Sequence, residues 1–549
     1  MTEHPSSGET PSVDPSAPTI DEVSRDVTPL TGDTSAAGDR AATDDRAAAP
    51  DVDDLMARST SRWWWRRPTI SQLKRGLKAQ RPSRDEFDVR WNDETRLPEG
   101  ESVHLGGVTL TEAFTPSTVG NLYAALRRWP SRPGNSDDHW IADLDRGRAF
   151  TGPSWVNLGY VRRPGQPLLG AGLSDPTLPS FVTAVWLSLS FLVPSVALVC
   201  ATFTFEDDVA DLSAILRSDF ETVTDDVRIA VTGRLGSVRS RVPWSRPKHY
   251  SSSWRPWDAL SGKRRAVQQH IQQREDECAR WFYNRFAGRF AATDLASRPA
   301  IRLVFTEQTT PFEGRDMWRR AVDLDWDPFV YRCNDIEGWG LRAGSWPGDA
   351  QRNPITMAAR RADVGDENAF DRRGQSNWSL TQRFNDEHAS LAARLAMQSL
   401  LGIYSERLAK FRDAAGKNRR VRSRPVRDAR ELDRYLITDG LDAATITADI
   451  QALTSDLVTF RWSVPEYTED RGDLPERFKK VPPTELVPAL CASLAAAASR
   501  LAKDSSNTEG NIRASAELRQ AIASTRLQRA VVVFTLAAVA VALVSLFNH

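Results

Sequence analysis

The chain has 549 residues, room for two or three domains, and 40% of them are apolar, which suffices for ordinary hydrophobic cores. Its formal net charge is zero, but residues 1–60 carry a local balance of −9 and the remaining residues carry +9. The four cysteines lie far apart and none belongs to a CxxC pair, so neither a disulfide framework nor a zinc site is indicated, and a reducing cytoplasm is the simplest setting.

Residues 1–60 are rich in Asp, Ser, Thr, Pro and Ala and contain almost no large apolar side chains. Such a segment cannot bury enough apolar surface to offset the entropy lost on ordering, so we predict a disordered acidic tail. It also lacks the apolar run of a secretory signal peptide.

Residues 61–84 reverse this charge, because they hold eight basic side chains, no acid and three consecutive tryptophans. Arginine and tryptophan together suit a membrane interface, where cations meet anionic head groups and indoles settle at the boundary. The alternative is that the indoles pack on the folded body and the basic side chains are solvated. The residues predicted to contact lipid are Arg62, Trp63, Trp64, Trp65, Arg66, Arg67, Lys74, Arg75 and Lys78.

Residues 85–370 are predicted to form an α+β domain. Strand-like segments and helical segments follow one another here without regular βα alternation. The predicted strands include 108–110, 300–305 and 355–359, a long helix covers 258–290, and 140–159 is expected to be loop with a short strand.

Residues 180–205 are apolar, uncharged and long enough to span a membrane. We predict a β-hairpin instead, because Leu187 and Leu189 alternate with Ser188 and Ser190, which is the period of a strand. A span here would also place the arginines ahead of the last apolar segment on the wrong side of the membrane. A second span is the alternative.

Residues 371–529 are predicted to be a mainly helical region or stalk. Apolar residues recur there at spacings of three and four, as on the buried stripe of a helix. The predicted elements are helices over 377–413, 428–457, 484–502 and 510–547, with a strand-like piece over 457–464.

Residues 530–547 form a run of eighteen residues without a charge, Gly or Pro. As a helix the run measures about 27 Å, close to the hydrocarbon thickness of a bilayer. Arg519, Arg526 and Arg529 precede it, which favours a cytoplasmic location for that side. We therefore predict one transmembrane helix, a tail anchor that holds the bulk of the chain on the cytoplasmic face of a bacterial-type inner membrane.

The alternating carboxylates Asp323, Asp325 and Asp327 are spaced like the start of a calcium loop. Pro328 stands where that loop needs Gly, and Asn334 stands where it needs Glu, so a polar strand face or loop is favoured. We predict no metal site.

Local catalytic motifs are missing from the sequence, which contains neither GxSxG nor HExxH. Cys278 lies beside Trp281 and Phe282 on the predicted long helix and is expected to be a core residue, with His270 about two helical turns away. No catalytic residue and no cofactor are predicted.

Basic side chains also cluster in 227–257 and in 417–427, in addition to 61–84. The phosphates of lipid or of nucleic acid would suit such clusters. An anchored body faces lipid constantly, so lipid is favoured over nucleic acid.

Three functional hypotheses remain. The first is a non-enzymatic, tail-anchored protein whose cytoplasmic body binds a protein partner, the lipid surface or a second copy of itself. The second is a membrane-tethered, hydrolase-like enzyme with a site assembled from distant residues. The third, an oligomeric channel or transporter, is disfavoured because residues 530–547 contain no charge.

Overall fold

The structure is a computed structural model. It describes residues 84–129, 139–150, 152–165, 173–208, 211–220, 228–229, 250–251, 259–293, 298–314, 316–325, 329–343, 355–364, 376–418, 435–472 and 482–547. The predicted acidic tail, 1–60, and the basic segment, apart from Arg84, lie outside the described residues.

Ten strands form one mixed sheet and two more form a small separate ribbon. The strands are β1 (Val103–Phe114), β2 (Ser154–Arg162), β3 (Leu173–Ser174), β4 (Val182–Val193), β5 (Val196–Phe205), β6 (Arg228–Ile229), β7 (Tyr250–Ser251), β8 (Ala300–Thr306), β9 (Val330–Cys333), β10 (Trp339–Arg342), β11 (Ile355–Arg360) and β12 (Tyr467–Glu469). The order in the large sheet is β12-β9-β10-β11-β8-β1-β5-β4-β2-β3, with β11 parallel to β8, β3 parallel to β2, and every other neighbouring pair antiparallel.

Helices pack on both faces of this sheet, so the predicted α+β class is confirmed. The helices are α1 (Arg84–Glu94), α2 (Val119–Arg128), α3 (His139–Ala149), α4 (Ser213–Arg217), α5 (Ala259–Arg285), α6 (Met317–Ala321), α7 (Arg361–Val364), α8 (Asn377–Asn418), α9 (Leu441–Ser455), α10 (Leu457–Arg461) and α11 (Leu486–Phe547). A π-helical turn, Leu436–Gly440, leads into α9.

Helix α5 covers one face of the central strands. Phe203 of β5 meets the Trp281 ring edge-on, with 5.8 Å between the ring centroids. Nearby, Glu275 of α5 accepts two hydrogen bonds from Arg302 of β8, at 2.5 and 2.9 Å. Register places Arg302 and Phe203 opposite Val108 of β1, so these side chains share one face of the sheet.

Helix α8 covers the opposite face, and the contact is polar. Thr204 of β5 and Thr381 of α8 share a hydrogen bond of 2.6 Å, and Thr202 donates to Asn385 at 3.4 Å. All four side chains are buried. Buried hydroxyls and amides are costly without partners, so these pairs fix how α8 lies across the strands.

Residues 182–205 form the antiparallel hairpin β4–β5, and no helix forms there. Ser188 and Ser190 alternate with leucines as the sequence pattern indicates, yet they are as buried as the leucines. The reason is that both faces of the hairpin are covered, the leucine face on one side and the serine face on the other. At the hairpin turn, the backbone N–H of Ser195 donates to Asp449 of α9 at 3.0 Å.

The predicted division near residue 370 has no counterpart in the structure. Helix α8 packs on β1, β4 and β5, and the short strand β12 is the outermost strand of the same sheet. Helix α11 in turn packs on α8 and α9. The described residues from 84 onward therefore belong to one compact unit.

Several predicted elements differ in the structure. Residues 140–159 contain helix α3 and the nine-residue strand β2 rather than mainly loop. The strand-like piece 457–464 is instead helix α10, because Asp456 caps its start by accepting from the Val458 N–H at 3.0 Å. The two last predicted helices form one continuous helix, α11, which runs through the exposed Gly510.

Glu112 of β1 is a buried carboxylate held entirely by the backbone. It accepts from the N–H groups of Ala113, Phe290 and Ala291 at 2.7 to 2.8 Å. A Cβ on Gly288 would lie 2.4 Å from the Ala113 carbonyl oxygen, so only glycine allows this close approach of the loop after α5. Burial raises the pKa of Glu112 to about 7, although the backbone donors oppose the shift.

Replacement of Glu112 by Gln should change how stability depends on pH. The folded chain holds the proton up to about pH 7, whereas the unfolded chain releases it near 4.5, so stability falls as pH rises between these values. We expect the free energy of unfolding of the wild type, relative to Glu112→Gln, to fall by at most about 3 kcal/mol over that window.

Urea unfolding of both chains at a series of pH values measures this difference, in which the titration of all other groups cancels. A difference that stays flat between pH 4.5 and 7 would show that Glu112 is ionised in the fold at those pH values.

Candidate functional site

Helix α11 leaves the folded body partway along its length. Leu490, Leu494 and Leu501 are buried against the body, and Thr508 is the last buried side chain. From Gly510 to Ser545, every described side chain is exposed. At 62 residues the whole helix measures about 93 Å, which is far longer than the body needs for packing.

Two windows of α11 are long and apolar enough to cross a membrane. The first, Leu486–Asn511, is 39% buried, because it packs on α8 and α9 as a core helix of the body. The second, Gln520–Ser545, is 0% buried. The second window therefore exposes an apolar surface that nothing in the described structure covers. Its large exposed side chains include Val531, Val532, Val533, Phe534, Leu536, Val539, Val541, Leu543 and Val544.

The stretch of α11 between the body and the uncharged run 530–547 is polar and helical. Residues 510–529 span about 30 Å at the rise of an α-helix. Arg513 pairs with Glu509 one turn earlier, where the helix leaves the body. The helix thus continues without a break from the buried part to the apolar part.

The predicted lipid-contacting residues of 61–84 are not placed by the structure. The other two basic clusters, 227–257 and 417–427, also lie almost entirely outside the described residues. From 227–257 the structure describes only β6 and β7, and from 417–427 only the helical backbone at 417–418. Lipid contact by these clusters stays a prediction.

The aspartates of the calcium-like pattern are engaged by arginines. Arg342 of β10 donates to Asp325 at 2.8 Å and to Asp323 at 3.3 Å, and Arg264 of α5 donates to Asp323 at 2.7 Å. Asp327 lies outside the described residues. Among the residues that are described, no group of three or more His, Cys, Asp or Glu side chains could hold a metal ion.

Cys278 is fully buried in the core, as predicted. Burial raises the pKa of its thiol well above the usual value, so the nucleophilic thiolate form is disfavoured. Burial also lowers the pKa of His270, which favours its neutral form. These residues form part of the packing of α5.

The most connected polar cluster centres on Asp442 at the start of α9. This buried carboxylate accepts from the hydroxyls of Thr115 at 2.6 Å, Ser117 at 2.7 Å and Tyr404 at 2.8 Å. It also accepts from the Ser117 N–H at 3.0 Å and forms an ion pair with Arg289. Burial acts to raise the pKa of Asp442, but these donors outweigh it and the pKa lies below the usual value.

A second carboxylate extends the cluster toward the surface. Arg289 donates to Asp439 at 2.9 Å, and Arg407 of α8 donates to the same oxygen at 2.8 Å. The cluster therefore joins the end of β1, the loop after α5, helix α8 and the start of α9. Because both carboxylates are occupied by donors, the arrangement ties elements together and leaves no free base. Sequence reasoning missed it, since its members lie up to 327 positions apart.

Two open cavities lie among the described residues. One, of about 240 Å³, lies beside β12, where Arg461 pairs with Glu466 at 3.3 Å and with Glu485 at 2.8 Å. The other, of about 310 Å³, lies between α2, the β2–β3 edge and the end of α5. The second cavity is near the lower limit of small-molecule pockets, about 300 Å³.

Comparison of the chain with protein-family models, with curated proteins and with solved structures found no match. We therefore infer function from the chain's own residues and geometry.

Replacement of Asp442 by Asn should destabilise the body strongly. It removes one of the two carboxylates that pair with the buried Arg289 and leaves Asp439 as the other, and losing one partner of a buried ion pair costs up to about 3–5 kcal/mol. Asp449→Asn on the same helix is the matched control, because Asp449 is half-buried and accepts one backbone hydrogen bond. It should cost about 1 kcal/mol.

Thermal unfolding followed by circular dichroism compares the two variants. Equal destabilisation by both would mean that the Asp442 cluster does not hold these elements together.

Proposed function

We propose that this chain is a membrane-tethered protein of bacterial type. In this proposal one transmembrane helix, residues 530–547, holds the α+β body on the cytoplasmic face of the inner membrane. The observation that carries the proposal is the 0% burial of Gln520–Ser545. A helix that is apolar on all sides is unstable in water and is normally covered by protein or by lipid. The arginines that precede the apolar run support a cytoplasmic body.

The polar part of α11 would serve as a spacer. Residues 510–529 separate the last buried side chains from the apolar run by about 30 Å of helix. The body would then stand away from the bilayer, with its surface accessible to soluble proteins. A stalk of this kind suits a module that presents a binding surface at a set distance from the membrane.

We propose that the body acts by binding a protein partner or the lipid surface. Arginines hold the carboxylates of Asp442 and Asp323, and hydroxyls also donate to Asp442, which is the chemistry of a stabilised scaffold. The basic segment 61–84 would supply a second, electrostatic contact with anionic lipid. An electrostatic contact in addition to the transmembrane helix would orient the body more strongly than the helix alone.

A membrane-tethered, hydrolase-like enzyme is the second candidate function. The cavity of about 310 Å³ at the end of α5 is the feature that favours it, because it combines aromatic walls with charged side chains.

The double replacement Leu536→Arg with Val539→Arg should release the protein from membranes. Both side chains are exposed near the centre of the apolar run, and each arginine there opposes insertion by about 3 kcal/mol. We expect the variant to move from the carbonate-resistant pellet to the soluble fraction.

Leu527→Arg is the control for this experiment. Leu527 is equally exposed but lies in the polar stretch of α11, so the variant should stay in the pellet. Extraction of the wild type by carbonate would contradict membrane insertion. Digestion of the body by protease added outside intact cells would contradict the cytoplasmic location.

A chain that ends at Arg529 should still co-sediment with anionic vesicles at low salt through the segment 61–84. Replacement by Gln at Arg62, Arg66, Arg67, Lys74, Arg75 and Lys78 should abolish this binding, because each basic residue near the surface contributes about 1 kcal/mol.

The control for charge removes three basic residues outside this segment, by Arg513→Gln, Arg526→Gln and Arg529→Gln together. This triple replacement should leave co-sedimentation unchanged. If the chain that ends at Arg529 stays in the supernatant at low salt, the segment 61–84 does not dock on lipid.

A further inference from the structure

We propose that the cavity at the end of α5 binds a small aromatic carboxylate, a molecule with one or two fused rings and one negative charge. This site would be independent of the membrane tether, because none of its lining residues belongs to α11.

The cavity has a wall of buried apolar and aromatic side chains. Trp129, at the end of α2, is 9% exposed and Phe286, just after α5, is fully buried. Their ring centroids lie 5.4 Å apart with the planes tilted by 50°. Val161 of β2 and Leu173 of β3 line the cavity from the strand edge. A flat apolar ring fits such a wall better than a hydrated sugar or a polar chain.

One buried donor in this wall has no acceptor. The indole N–H of Trp129 has no hydrogen-bond partner among the described residues, although it is shielded from solvent. A buried donor without a partner is costly. Because this N–H is shielded from solvent, an oxygen of a bound ligand would satisfy it only after the indole shifts toward the cavity.

Two arginines line the cavity, and one of them is already neutralised. Arg285 donates to Asp175 at 2.5 Å and to the Thr177 hydroxyl at 2.6 Å, and its guanidinium stacks 4.1 Å from the Trp281 ring centroid. These contacts fix Arg285 in one position. Its charge is cancelled by Asp175, so it contributes shape and hydrogen-bonding capacity more than net charge.

Arg128 supplies the charge that is not cancelled. Its Nε donates to the Ala124 carbonyl at 3.0 Å, one turn earlier on α2. Within the described part of the chain, no acidic side chain forms an ion pair with it. The lining therefore carries one excess positive charge beside an aromatic wall, which matches one carboxylate on an aromatic ring. A ligand with several phosphates would need more cations than this lining provides.

Indole-3-acetate is a suitable probe, because it joins a two-ring aromatic system to one carboxylate. Isothermal titration calorimetry of the full chain in nanodiscs of neutral lipid, with empty nanodiscs as a blank, measures its binding. We expect saturable binding with one site per chain. The neutral analogue indole-3-acetamide should bind at least about tenfold more weakly, because it lacks the charge that meets Arg128.

Arg128→Gln should weaken the binding of indole-3-acetate by about tenfold or more. The matched control is Arg127→Gln, because Arg127 is its exposed neighbour on α2 and does not line the cavity; its effect should be below about twofold. Trp129→Phe keeps a ring and removes the N–H, and should weaken binding by about threefold to tenfold.

Each of three results would overturn the proposal: no saturable binding of indole-3-acetate to the full chain, equal affinity for the acid and the amide, or equal loss in Arg127→Gln and Arg128→Gln. If the full chain does not insert in lipid, the same titration is run on it without nanodiscs, so the two proposals fail separately.

Discussion

The hydrogen bonds between α8 and the central strands determine much of the remaining structure. Buried threonine hydroxyls of β5 pair with Thr381 and Asn385, so α8 can lie across the sheet in only one register. About six turns further along the same helix, this placement brings Tyr404 to the Asp442 carboxylate. Helices α9 and α11 then pack against α8, and the direction in which α11 leaves the body follows from that packing.

Local patterns in the sequence predicted the elements that are stabilised locally. The alternation around Ser188 indicated a strand, and the structure has a strand there, although the serine face proved to be buried under α8. The three-residue strand β12 could not be predicted, because the strand that it pairs with, β9, lies more than 130 residues earlier. Contacts between distant residues also explain why a division was expected near residue 370. The composition of α8 does not reveal that its polar residues face strands that lie far earlier in the chain.

Only part of the candidate site could likewise be predicted from the sequence. The apolar run 530–547 is evident from composition alone, and the structure adds that the window around it is uncovered. The Asp442 cluster depends on side chains from four separate elements, so no spacing rule reveals it. The pattern at Asp323 favoured a polar strand face or loop, and the structure has a loop there. In this loop Asp323 adopts a positive φ of 58°, and Arg342 of β10 donates to its carboxylate. Arginine is the commonest basic residue of this chain. Here arginines pair with carboxylates whose spacing alone would indicate a metal site.

Gly510 occupies the point where α11 parts from the body, and a Cβ at this position would meet no neighbouring atom. Glycine in a helix interior is about 1 kcal/mol less favourable than alanine, so helix α11 is locally weakened where it leaves the body. If the chain is tethered as proposed, a bend there would pivot the body about a point separated from the apolar run by about 30 Å of helix. The body could then turn different faces toward its neighbours while the polar helix keeps its distance from the membrane.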